Sequence, residues 1–101
     1  MQKPLTELRL SARHLAMLQQ ILQRQVPDCE VWAYGSRVNG DGHEGSDLDL
    51  VLHRCEITQL LDLQEALQNS LLPMLVDLHL WERLPESFKQ NILNSYIIIQ
   101  Q

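Results

Sequence analysis

The stretch Gly35-Ser36-Arg37-Val38-Asn39-Gly40-Asp41-Gly42-His43-Glu44-Gly45-Ser46-Asp47-Leu48-Asp49-Leu50 decides how this chain is read. It follows Val31-Trp32-Ala33-Tyr34, a short run of the aromatic and β-branched types that suit sheets. Gly35-Ser36 breaks that strand and is expected to open a helical turn. Glycine lets the backbone approach a ligand closely, and a helix start offers N–H groups and a positive dipole end. With the Ser36 hydroxyl and the Arg37 cation beside it, the turn is a candidate phosphate cradle. By itself, a Gly-Ser pair after a strand also reads as an ordinary turn.

At the other end of the stretch, Asp47-Leu48-Asp49-Leu50-Val51-Leu52 alternates and then becomes apolar, which predicts a strand. Residues two apart on a strand project from one face, so Asp47 and Asp49 stand together. Aspartate is scarce in strands, and like charges side by side raise each other's pKa unless a cation lies between them. Oxygen-only ligands suit a hard divalent ion, magnesium or manganese rather than zinc. The plainer alternative makes Ser46-Asp47 a turn cap and Asp49 a solvated residue on an open face.

Asp77 is the third acid of interest. It interrupts the apolar run Met74-Leu75-Val76-Asp77-Leu78-His79-Leu80-Trp81, read as a strand, and an unpaired buried carboxylate is strongly disfavoured. If this strand neighbours the one carrying Asp47 and Asp49, the three carboxylates form one cluster. Such a cluster can hold two ions about 3.5–4 Å apart, as two-metal phosphoryl transfer requires. The alternative is an exposed aspartate on an uncovered sheet face.

The rest of the chain supplies helices between these strands. Leu15, Leu18, Ile21 and Leu22 recur at helical spacing behind the N-cap Ser11, and Pro27-Asp28 ends that helix. A second helix is expected from Ile57 to Leu72, stopped by Pro73, and a third from Pro85 to about Asn94. The β-branched run Ile97-Ile98-Ile99 predicts a closing strand. Strands alternating with helices imply an α/β sandwich around one sheet.

The 101 residues leave room for one domain, spanning 1–101. A chain of this size buries only about 60–65% of its unfolded surface, so the site is expected to be shallow or to be completed by another chain. The net charge is −5, and the eight basic residues are scattered singly. That argues against extended nucleic-acid contact, which needs clustered cations, while leaving a terminal nucleotide open as an acceptor. No apolar signal core and no run of membrane-spanning length is visible, so a cytoplasmic location is the default expectation.

Cys29 and Cys55 fit no zinc spacing and no disulfide framework, and read as small buried hydrophobes. His79 shares the face of Asp77 by the two-residue period. It reads as an exposed or core histidine ahead of a nucleotide contact or a partner of Asp77. Trp32, Tyr34, Trp81 and Tyr96 read as structural or partner-facing, and His14 and His53 have no partner in the sequence. In the loop, His43 reads as solvated. Asp41 and Glu44 place acid where phosphates would pass, and are read as pointing to water.

Gly35-Ser36, ten intervening residues and Asp47-Leu48-Asp49, flanked by Ala33-Tyr34 and Leu50-Val51, resemble the signature of the DNA polymerase β-like nucleotidyltransferase superfamily. Asp77 stands at the place of that superfamily's third carboxylate. The length is similar to that of the minimal nucleotidyltransferases, many of which are antitoxins paired with an all-helical HEPN-domain toxin. The resemblance implies a single-domain nucleotidyltransferase fold, a mixed sheet of about four strands with helices on one face and the active site on the other. It implies that Asp47 and Asp49 bind two magnesium ions and the triphosphate, and that Asp77 binds the second ion and helps deprotonate the acceptor. Gly35 and Ser36 would hold the β- and γ-phosphates, with Arg37 nearby. ATP would be the donor and a tyrosine of a HEPN-type toxin the acceptor, in a homo- or hetero-oligomer.

Two further readings stand beside this one. The chain could neutralise a partner by complex formation without catalysis, or it could modify a small-molecule hydroxyl or an RNA end. Base preference, the number of nucleotides transferred and the stoichiometry lie outside the motif.

Overall fold

Nine elements follow one another as β1 (Gln2–Lys3), α1 (Ala12–Gln25), β2 (Glu30–Tyr34), α2 (Ser36–Asn39), β3 (Leu48–His53), α3 (Ile57–Gln68), β4 (Val76–Leu80), α4 (Glu86–Asn94) and β5 (Tyr96–Gln100), among the described residues and apart from two short 3-10 turns. The computed structural model describes residues 1–40 and 45–101. The expectations for Asp41, His43 and Glu44 therefore lie outside the described residues.

Strict alternation on each strand sorts the sheet into two chemically different faces. Val31 and Ala33 of β2, Leu48, Leu50 and Leu52 of β3, and Ile97 and Ile99 of β5 are buried against Leu18 and Leu22 of α1 and Leu60, Leu63 and Leu67 of α3. Each fully buried leucine contributes roughly 1.5–3 kcal/mol, so this helix-covered face holds most of the core. The opposite face carries Trp32, Tyr34, Asp49, Val51 and Tyr96, and the polar residues of the site lie at one end of it.

The sheet is mixed, in the order β1-β5-β2-β3-β4. β3 and β4 are parallel, joined through α3, while β2 runs antiparallel to both β3 and β5. The expected four strands are present, and a fifth, β1, pairs with β5 over two residues. That pair is too short to show in a pattern of alternation. A second difference concerns the layering. α1 and α3 share one face as expected, but α4 crosses to the other, where Ile92 is buried with Tyr34 and Val51. The aromatic residues of that face need cover from water, and α4 supplies it over only part of the sheet.

Helix boundaries follow local hydrogen bonding. Ser11 caps α1 by accepting from the His14 amide at 3.2 Å. A capping box starts α3, with the Glu56 amide donating to Gln59 Oε1 at 2.9 Å. α3 ends at Gln68, four residues short of Leu72, because Ser70 turns the chain: its hydroxyl donates to the Leu67 carbonyl and accepts from the Leu72 amide. Serine competes for backbone groups in this way. Cys29 and Cys55 are both buried and free, as expected.

Candidate active site

The functional end of the sheet lies where β2 finishes and β3 and β4 begin. Tyr34, the last residue of β2, is the register partner of Asp49, and Asp49 is in turn the register partner of Asp77. Three neighbouring strands thus set Tyr34, Asp49 and Asp77 in one row. Asp47 lies just before β3 and is exposed, Asp49 is partly buried, and Asp77 is exposed on the outermost strand. The strand register pairs Asp49 with Asp77, and Asp47 lies two residues before Asp49, close enough for its charge to act on it.

Their electrostatics follow from that row. Burial raises the pKa of Asp49, the charges of Asp77 and Asp47 raise it further, and His79 opposes the shift. Burial also pushes the Tyr34 phenol upward, helped by Asp49 and then Asp77. The site therefore concentrates negative charge, which His79 offsets only in part. A bound divalent cation would relieve this repulsion directly.

Gly35 follows Tyr34 with φ 85° and ψ −156°, backbone essentially confined to glycine. A Cβ there would overlap Asp49 Oδ2 and approach Asp49 Cγ to 3.2 Å. The turn and the carboxylate are therefore in direct contact, which only the missing side chain permits. Ser36 opens the four-residue α2, whose first bonds run from the Val38 and Asn39 amides to the Gly35 carbonyl, both at 3.0 Å. The Ser36 hydroxyl makes no hydrogen bond to the described residues.

Arg37 lies differently from what its place beside the turn suggests. It is only 5% exposed, and its guanidinium is turned inward. Nε donates to the Ser46 carbonyl at 3.0 Å and an Nη to the Arg9 carbonyl at 2.6 Å. The Arg9 amide in turn donates to the Arg37 carbonyl at 2.8 Å. Arg37 thus ties the residue before Asp47 to the N-terminal segment and to α2.

His79, which the sequence reads first as an exposed or core histidine, is partly exposed and stands beside Asp77. Its Nε2 lies 3.2 Å from Asp77 Oδ2, and its ring borders Phe88 of α4 at 6.2 Å between centroids. Phe88 also meets Tyr34 edge-on at 5.9 Å. The signal for His79 was present in the two-residue strand period. Phe88 carried none, because only the crossing of α4 to this face places it there.

A donor set of three carboxylates, with Gly35 leaving Asp49 unobstructed, fits hard divalent cations such as magnesium. The fit lies in donor chemistry and strand register. Among the described residues no three acidic, imidazole or thiol groups already stand as a closed metal cage.

Known proteins fit this geometry. The family described as "Nucleotidyltransferase domain" matches residues 15–99. Over 98 residues the chain is 41% identical to the probable protein adenylyltransferase MntA of Haemophilus influenzae, covering 94% of this chain and 86% of that protein. Among solved structures, a toxin–antitoxin with AMP-PNP superposes with a TM-score of 0.68 at 18% identity, over 84% of this chain and 71% of that one. A mutant of the toxin–antitoxin MntA–HpeT gives 0.67 at 16% identity, with the same coverage of 84% and 71%. These two likenesses concern the fold. The family match spans the turn, the paired aspartates and the strand of Asp77 alike, and the chain belongs to the nucleotidyltransferase domain family.

Proposed function

We propose that this nucleotidyltransferase moves AMP from ATP to a hydroxyl of a partner protein, a tyrosine of a HEPN-type toxin, and thereby acts as an antitoxin. The observation that carries the reading is the contact of Gly35 with Asp49, itself the register partner of Asp77. It sets a turn suited to phosphates against a row suited to cations. Support for a protein acceptor comes from the relative named as a probable protein adenylyltransferase. Support for a toxin partner comes from the toxin–antitoxin structures that share the fold.

In this reading Gly35 and Ser36 bind the β- and γ-phosphates through backbone N–H groups and the Ser36 hydroxyl. Asp47 and Asp49 would hold two divalent ions, with Asp77 contributing to the second. Bound magnesium would neutralise the triphosphate and ease ionisation of the acceptor hydroxyl. Asp77 orients that hydroxyl and takes its proton. The acceptor oxygen forms a bond to the α-phosphorus as the bond to the bridging oxygen of pyrophosphate breaks, and the electron pair leaves with pyrophosphate. Arg37 acts from behind, fixing the backbone ahead of Asp47. Positioning and charge neutralisation supply most of the rate.

The test is the intact mass of the co-expressed partner before and after magnesium and ATP. A gain of whole adenylyl masses that disappears with Asp47→Asn, in a variant that still folds, is the expected result. A partner whose mass never changes would refute the activity, and neutralisation by Asp47→Asn in cells would make complex formation sufficient.

A further inference from the structure

Beside Asp77 the surface opens into a groove of about 510 Å³. It runs between Gln64, Leu67 and Gln68 on the last turns of α3 and the segment from Leu72 to Val76, and Asp47 and Asp77 form part of its wall. It is therefore continuous with the carboxylate row. Among the described residues, no lysine, arginine or histidine lines it. Beyond the carboxylates that would hold the divalent ions, the described lining offers no cation to a second polyanion such as a nucleic-acid backbone.

What the lining does offer is apolar surface with two carboxamides, chemistry that suits a polypeptide. Leu75, one residue ahead of β4, is 74% exposed on the rim. Its carbonyl accepts from the Leu48 amide at 2.9 Å, so its place beside Asp47 is fixed by the sheet. An exposed leucine held rigidly at the edge of an acidic site has no role in the core.

The order of the strands adds a direction. β2 leads to Gly35-Ser36, β3 carries Asp49, and β4 with Asp77 is the outermost strand. The phosphate turn and the groove thus lie on opposite sides of the carboxylates. In-line displacement at phosphorus needs the entering and leaving oxygens on opposite sides as well.

We propose that this groove is the docking site of the acceptor polypeptide, which seats an apolar side chain against Met74 and Leu75 and delivers its hydroxyl to Asp77 from the β4 edge. The proposal rests on the protein-modifying activity above and names where its acceptor binds.

Leu75→Glu and Gln68→Trp test it, because both positions are exposed and neither touches the phosphate turn. The control is Leu61→Glu, which changes an exposed leucine of α3 outside the groove. The HEPN-type partner, co-expressed with the chain, serves as probe, with transfer followed by intact mass and magnesium–ATP binding by titration. Both groove variants should raise the KM for the partner about tenfold or more, with unchanged affinity for magnesium–ATP and unchanged melting temperature. Leu61→Glu should behave as wild type. Unchanged KM in both groove variants would overturn the groove while leaving the activity standing. A wild-type chain that modifies no partner would overturn both.

Discussion

Asp49 and Asp77 are register partners on adjacent parallel strands, so two carboxylates share one rung of the sheet. With Asp47 one step away, this rung works against the fold whenever no cation is present. The pKa of Asp49 is raised by burial, then by Asp77 and Asp47, which means that protonation favours the folded state. In the metal-free protein, this group's contribution to stability is therefore present at acidic pH and lost as pH climbs through the raised value.

The first prediction follows from that sign. Asp49→Asn should raise the melting temperature of the metal-free protein by a few degrees at neutral pH while lowering transfer at least about 100-fold. Magnesium should stabilise the wild type and leave the variant nearly unmoved. Calorimetry with and without magnesium decides the matter, and equal stabilisation of both proteins would remove Asp49 from the ion site.

Gly35→Ala should be as damaging as loss of a carboxylate. The backbone there costs an L residue about 1–3 kcal/mol, and the new methyl group must displace Asp49. Small misplacements of reacting groups can lower rates about 100-fold. We expect that order of loss in transfer together with a lower melting temperature. A variant that keeps both would mean the turn and the carboxylate are not in contact.

Arg37 distinguishes a positioning role from a phosphate contact. Arg37→Met leaves the carbonyls of Ser46 and Arg9 without their donor, a loss of about 2–4 kcal/mol in unfolding free energy. Denaturant titration should show that loss. A residue that served the phosphates alone would instead weaken ATP binding and leave stability intact.

His53 gives a pH dependence of opposite sign. It sits 4.0 Å from Trp32 and 4.8 Å from Trp81 between ring centroids, and its buried Nε2 has no hydrogen-bond partner among the described residues. Burial lowers its pKa, with Glu30 and Glu82 opposing and Arg54 assisting. The unfolded chain thus binds the proton more readily, and stability is lost as pH falls below the ordinary histidine value of about 6.5. His53→Phe should flatten the melting temperature between about pH 7 and pH 5 relative to wild type. An unchanged profile would place the acid sensitivity elsewhere.

The parts of this molecule that sequence could reveal are those set by period and local chemistry. Asp47 and Asp49 were legible because aspartate does not belong in a strand, and Asp77 because it breaks an apolar run. The Gly35 turn was legible as a turn, though its contact with Asp49 belongs to the meeting of β2 and β3. Arg37 shows how much sequence leaves out: its neighbours in sequence are the phosphate turn, yet it also donates to the carbonyls of Arg9 and Ser46. The crossing of α4 was hidden similarly, since an amphipathic helix does not say which side of a sheet it will cover. The aromatic cluster of Trp32, His53, Trp81 and Tyr96 is drawn from three strands and the turn after β4, and no single segment announces it.

The position of β4 carries one more consequence. Asp77 stands on the last strand of the sheet with its side chain 60% exposed, so bulk solvent borders the reacting atoms on that side. A macromolecule brings its own barrier and shuts out solvent by seating itself. If the acceptor is the protein proposed above, substrate choice would fall to the partner that can finish the enclosure.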